Sequence, residues 1–302
     1  DILGHALLKM KDGLAETERI LEQKVQERTE EVVRQKDEID SQRSKLEELY
    51  NDVTDSIRYA KRLQDSILPP ERNIKKLFPS SFVLFKPKDI VSGDFYWLNK
   101  TKDEFMFAAV DCTGHGVPGA FMSLVGAQGL NSAVKEHRLK DPGLILDDLN
   151  KAASEAMNKT GDENAVRDGM DISICCVNIK ERTLKFAGAY NPLYIIRSNE
   201  LEIIKSDKFA IGSFVPGEKN YETFDVPIMK GDKIYLFSDG YPDQFGGLKG
   251  KKFMYKQFKE TLLATVNHSM EEQKVLLDQK IEAWRGTYDQ VDDILVFGIE
   301  VD

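Results

Sequence analysis

Proline, phenylalanine, tryptophan and cysteine are all missing from residues 1–68, where Gly4 and Gly13 are the only glycines. Such a stretch lacks the aromatic anchors and turn residues of a globular core, which leaves a long helix or a disordered segment. Cysteine is scarce throughout: Cys112, Cys175 and Cys176 are the whole supply of the 302-residue chain. An odd number with an adjacent pair fits neither a disulfide framework nor a zinc knuckle, and points to a reducing compartment. No apolar run reaches the ~18 residues of a membrane span, and no signal peptide is present. Basic residues are in the minority, 42 Lys+Arg against 51 Asp+Glu for a net charge of −9. That argues against nonspecific nucleic-acid binding, which needs a basic face, and favours cation binding wherever acids cluster. The chain opens on Asp1 rather than Met, so we expect an excised piece with a sensor or membrane segment upstream. The expected location is the cytoplasm, as a free protein or as the cytoplasmic part of a membrane-anchored one.

What residues 1–68 do contain is a seven-residue repeat. Val25, Val32, Ile39, Leu46, Val53, Ala60 and Ile67 form one row, and Leu21, Arg28, Gln35, Gln42, Leu49, Ser56 and Leu63 a second. These are the a and d positions of a coiled coil, with β-branched residues at a favouring a parallel dimer. Polar residues in the middle of the d row weaken it, which suits a signal-transmitting linker. The alternative is a single solvated helix, or one packed on a neighbouring domain. Pro69-Pro70 stops the helix.

Residues 69–302 read as one domain of mixed α and β structure. Strands are expected at Ser81–Phe85, Phe95–Leu98, Phe105–Val110, Ile172–Ile179, Leu184–Ala187, Leu193–Ile196, Lys233–Phe237 and Ile294–Ile299. Helical patterns cover Pro118–Glu136, Gly143–Asn158, Lys252–Val266 and Met270–Trp284. Short turns group the strands, so antiparallel pairing is expected rather than βαβ alternation.

Four sites in this domain set an aspartate where an apolar run begins or ends. Asp94 enters a strand after Gly93, Asp111 closes one before Cys112-Thr113-Gly114, Asp239 closes another before Gly240, and Asp292-Asp293 precede the last. Strand ends hold side chains rigidly while leaving them open to solvent. If the four converge, their mutual repulsion calls for hard cations such as Mg²⁺ or Mn²⁺. Each Asp-Gly taken singly is also an ordinary turn.

The ordered set Arg62–Pro70, Val91–Tyr96, Asp111–Ala120, Gly188–Pro192, Gly231–Gly240 and Val291–Ile294 resembles the SpoIIE/RsbU-type branch of the PPM (PP2C-like) metal-dependent serine/threonine protein phosphatases, over about residues 55–302. The resemblance implies an α+β fold, an αββα sandwich of two mainly antiparallel sheets flanked by helices, with two Mn²⁺ or Mg²⁺ ions at one edge. It implies that Asp111 bridges both metals, that the carbonyl of Cys112 is a further ligand, and that Asp94 is a direct or supporting metal acid. Asp239 and Asp292 would hold the other metal, with Asp292 preferred over Asp293. The catalytic set is then Asp94, Asp111 and Asp239. The implied substrate is a phosphoprotein of bacterial signalling, frequently a STAS-type anti-sigma-factor antagonist in this family.

Some positions depart from the pattern. Trp97 stands where relatives often carry an acid and is expected to pack. Asn191 replaces an acid that can hold a third metal. His115 is read as a turn residue opening the next helix, its other role being a proton donor to the leaving oxygen. Asp168 and Asp171 are read as a turn before a strand, the alternative being an extra metal or regulatory contact, and one of Cys175 and Cys176 as core. Because Ile57–Leu68 ends the repeat and begins the family-like segment, Val53, Ala60, Leu63 and Ile67 are expected to couple helix register to the acidic site. A catalytically silent phosphoprotein-binding scaffold is the competing class. A metal-dependent nuclease fits less well, for want of a basic surface and histidine ligands.

Overall fold

The computed structural model describes residues 2–101, 104–157, 169–178, 180–212 and 220–301. It divides into two units, Asp1–Ser56 and Ile57–Asp302. Helix α1, Ile2–Ile67, makes up the described part of the first unit and continues into the second. In the first unit Val25, Val32, Ile39, Leu46 and Val53 are 58–68% exposed, an apolar row on an otherwise charged helix. Pairs such as Arg28 with Glu31 and Gln23 with Glu27 add only about 0.2–0.5 kcal/mol each. Among the described residues no helix is long and apolar enough to cross a membrane.

In the second unit α1 ends at Ile67, just before the two prolines, and Pro70 starts a new short helix, α2 (Glu71–Leu77). Among the described residues of α1, Gln64 alone is buried. Its amide donates to the Ser92 carbonyl at 2.6 Å and to Ser123 Oγ at 2.9 Å, while its Oε1 accepts from the Ser92 N–H at 3.0 Å. Ile67 packs nearby against the core, whereas Leu63 remains half exposed.

Two five-stranded antiparallel sheets follow. The strands are β1 (Ser81–Lys86), β2 (Phe95–Lys100), β3 (Phe105–Cys112), β4 (Met170–Asn178), β5 (Thr183–Ala189), β6 (Leu193–Arg197), β7 (Glu200–Ile204), β8 (Phe224–Pro227) and β9 (Lys233–Phe237), with a small hairpin of β10 (Phe245–Gly246) and β11 (Lys251–Lys252) before β12 (Ile294–Glu300). One sheet runs β1-β12-β9-β6-β7 and the other β2-β3-β4-β5-β8. Alternation along each strand feeds two faces. Phe107, Cys175, Phe186, Leu236 and Phe297 fill the space between the sheets. Met106, Ala108, Val110, Ile174 and Cys176 point the other way, under α3 (Gly116–Asn131) and α4 (Pro142–Met157). Phe82, Tyr235, Phe237 and Val296 pack under α6 (Met254–Thr265) and α7 (Met270–Arg285). The result is the expected αββα sandwich. Cys175 and Cys176 are both buried, not one of them, because both faces of β4 are covered. The helix expected over Pro118–Glu136 is an α-helix to Asn131 that widens into a π-turn at Ser132–Glu136.

Candidate functional site

Antiparallel register collects the acids. Val110 pairs with Phe95 and Val296 with Phe237, so the end of β3 lies beside the start of β2, and the end of β9 beside the start of β12. Asp111 is the penultimate residue of β3, Asp94 immediately precedes β2, Asp239 stands two residues beyond β9, and Asp292-Asp293 lead into β12. The two pairs belong to different sheets, and backbone N–H groups reach across: that of Asp239 donates to Asp111 Oδ2 at 3.3 Å and that of Asp94 to Asp293 Oδ2 at 3.5 Å.

Crowding of like charges perturbs the whole group. Burial, and then the charge of Asp111, pushes the Asp94 carboxyl well above its usual range. Burial followed by the Asp239 charge does the same to Asp111. Asp239 is pushed up to about 6 by burial together with Asp243 and Asp292, and burial also raises Asp292. Asp171, opposite Asp111 in the β3–β4 register, rises to about 6 through burial and the charge of Asp239. It therefore joins the acidic group instead of sitting in the expected turn. Its place follows from the β3–β4 register, which sets it opposite Asp111. Asp168 lies outside the described residues.

Asp293 has a different task. Its carboxylate accepts from the N–H groups of Lys88 and Gly93, both at 2.7 Å, and so ties the loop before β2 to the start of β12. Asp292 spends one oxygen on the N–H of Asp293. Close backbone approaches hold the rest. A Cβ on Gly93 would lie 2.4 Å from the Gly114 carbonyl and 3.0 Å from that of Cys112, and one on Gly240 would lie 2.0 Å from the Asp293 carbonyl. Gly240 opens α5 (Gly240–Asp243), a single turn whose N-cap is Asp239.

The donors suit a hard cation: all are carboxylate or carbonyl oxygens, and Asp94 Oδ2 is buried with no hydrogen-bond partner. Among the described residues no three acid, thiol or imidazole side chains stand at chelating distances. The acids are neighbours linked by electrostatics and by backbone N–H to carboxylate hydrogen bonds, not a closed cage.

Other expected residues stand around the cluster or away from it. His115 is the N-cap of α3 and pairs with Asp89 at 2.7 Å, both side chains about half exposed. The Cys112 thiol is buried, and burial followed by the Asp94 charge pushes it well up. Trp97 is buried and donates to Asn131 Oδ1 at 3.3 Å, and Asn191 is buried in the turn between β5 and β6. Val53 is exposed and Ala60 half-buried, both on α1.

Residues 101–302 match the family model described as Stage II sporulation protein E (SpoIIE). The phosphoserine phosphatase RsbU of Bacillus subtilis (strain 168) is 26% identical over 159 residues, 51% of this chain and 44% of that protein, so the chain spans less than half of that relative. The SiaA-PP2C domain of Pseudomonas aeruginosa superposes with a TM-score of 0.75 at 31% identity, covering 83% of this chain and 98% of that one. The PP2C phosphatase domain of SpoIIE from Bacillus subtilis, with a fragment of its regulatory domain, gives 0.59 at 18% identity over 74% of this chain and 63% of that one, a likeness of fold.

Proposed function

The chain belongs to the SpoIIE family of PP2C-like phosphatases, and from that premise we propose that it hydrolyses phosphoserine or phosphothreonine on a bacterial signalling protein. The observation that carries this reading is the gathering of Asp94, Asp111, Asp239 and Asp292 from four strand ends at one edge of the sandwich, with their carboxyls driven up together. Two Mn²⁺ or Mg²⁺ ions, when bound, would supply an activated water and neutralise charge on the phosphoryl oxygens.

The chain's own groups do the rest. Asp111, centrally placed, would serve both ions together with the Cys112 carbonyl, while Asp239 and Asp292 would hold one and Asp94 the other or its water. The Asp239 N–H orients Asp111, and Asp293 fixes the loop that carries Asp94. We further infer a STAS-type antagonist as substrate and control by a parallel dimeric coiled coil over residues 1–68 acting through Val53, Ala60, Leu63 and Ile67.

The test is p-nitrophenyl phosphate hydrolysis with and without Mn²⁺, for the intact chain, for residues 57–302 and for Asp239→Ala. Metal-dependent turnover should be present in the intact chain and lost in Asp239→Ala, and the shorter chain should differ in rate if the coiled coil exerts control. A chain that neither turns over nor binds Mn²⁺ by calorimetry is a scaffold instead.

A pH dependence follows from the raised acids. Groups that bind protons more tightly when folded stabilise the fold at low pH and lose that contribution as pH rises through their folded pKa. In EDTA the melting temperature should therefore fall from about pH 4 to about pH 6, between the ordinary carboxylate pKa and the raised values of Asp171 and Asp239. Added Mn²⁺ should restore it more at the upper end, because a proton no longer competes for the oxygens. A flat metal-free profile would contradict the crowding of these acids.

A further inference from the structure

In a chain with a net charge of −9, the stretch Gln244–Lys259 holds no acid and carries Lys249, Lys251, Lys252, Lys256 and Lys259. It forms the β10–β11 hairpin and the start of α6. Its foot reaches the acidic centre: Lys252 pairs with Asp243 at 2.6 Å, and the Asp243 N–H bonds the Asp239 carbonyl at 2.9 Å. Leu248 is completely exposed, Met254 is 56% exposed and Phe245 38%. Lys249, Lys251 and Lys256 are exposed and, among the described residues, no carboxylate pairs with them. The hairpin is nevertheless held in place. The Gly247 N–H bonds the Trp284 carbonyl at 2.8 Å, the Trp284 indole N–H bonds the Gln244 carbonyl at 3.1 Å, and Gly247 and Gly250 adopt positive φ in the turn.

A phosphorylated substrate is itself anionic and must approach an acidic protein, so a local patch of opposite sign beside the centre is where attraction can act. A bare leucine among lysines supplies the apolar contact that a protein partner, unlike a small phosphoester, can cover. We propose that the lip made by Lys249, Lys251, Lys256 and Leu248 docks an acidic, leucine-containing segment flanking the phosphorylated residue of the protein substrate. This deepens the phosphatase reading and rests on it.

The experiment uses the intact chain and two labelled phosphoserine peptides of equal length, one flanked by Asp, Glu and Leu, the other by Lys and Arg. Anisotropy is read in EDTA, where no turnover intervenes. The acidic peptide should bind at least about tenfold tighter, and Lys249→Glu with Lys251→Glu should erase that preference. Lys249→Gln with Lys251→Gln should weaken it by less, and Leu248→Asp should weaken the acidic peptide alone. Turnover of p-nitrophenyl phosphate in Mn²⁺ should stay within about twofold in every variant. Equal affinity for the two peptides, or indifference to charge reversal, overturns the proposal. So does loss of binding to phosphatidylserine vesicles in the reversed variant while peptide binding is unchanged. If the parent chain hydrolyses nothing, the phosphatase reading fails on that arm while anisotropy still decides whether the lip docks peptide.

Discussion

Asp111→Asn is expected to lower metal-dependent phosphoester hydrolysis by roughly a thousandfold or more, while raising the melting temperature of the metal-free protein. The two effects have one cause. Asp111 is surrounded by Asp94, Asp239, Asp292 and Asp171, and burial with these charges pushes its own carboxyl well up. Removing one charge relieves repulsion that no cation offsets in EDTA, and each kcal/mol relieved is worth about 2–4 °C for a domain of this size. Asparagine keeps an oxygen that can accept the Asp239 N–H, so the bond between the sheets survives. With Mn²⁺ present the order should invert, because the parent gains cation binding that the variant has lost. Calorimetric melts with EDTA and with Mn²⁺, beside the turnover assay, check both halves. A variant that is less stable than the parent in EDTA would show that Asp111 is held by favourable contacts instead.

Gly240→Ala is expected to act in the opposite sense, destabilising the protein with or without metal and abolishing activity. The added Cβ would lie 2.0 Å from the Asp293 carbonyl oxygen and 2.9 Å from its carbon, both backbone atoms that cannot swing aside. Relief requires the Asp239–Gly240 turn and the start of β12 to separate, which costs about 3 kcal/mol. A drop of roughly 6–12 °C in melting temperature follows. The same separation moves Asp239 and Asp292 apart, so activity falls with a side chain that is no ligand. Gly13→Ala is the control, since nothing lies within 4 Å of its added Cβ on the exposed α1. A stable, active Gly240→Ala protein would mean that the close approach is not needed.

How legible the molecule was depends on burial. β9 matches the expected Lys233–Phe237, and β1, β3 and β12 match within two residues at each end, because their apolar residues pack on covered faces. β7 went unread: Glu200–Ile204 is an edge strand with half its residues in solvent, so its polarity hides its pairing with β6. β8, four residues at the other edge, and the two-residue β10 and β11 are too short to show a period. In the candidate site, Asp94, Asp111, Asp239 and Asp292 were visible as acids at strand ends. Asp171 was not, because its place depends on the β3–β4 register, which local sequence does not state. Nor was the clamping role of Asp293, which requires knowing that the Lys88–Gly93 loop crosses in front of β12.

The buried amide of Gln64 is the point at which α1 is keyed to the sandwich. Gln64 meets the Ser92 backbone with both its donor and its acceptor, two residues before Asp94. Axial rotation by one residue position turns its side chain through about 100°, off Ser92 altogether. Sliding by one turn brings up Ala60, which has no polar atom to offer. Bending of the helix far from this point leaves the three bonds intact. We propose that this joint filters motion by kind: twist and piston would break a fixed set of bonds in one step, and flexing would leave them in place.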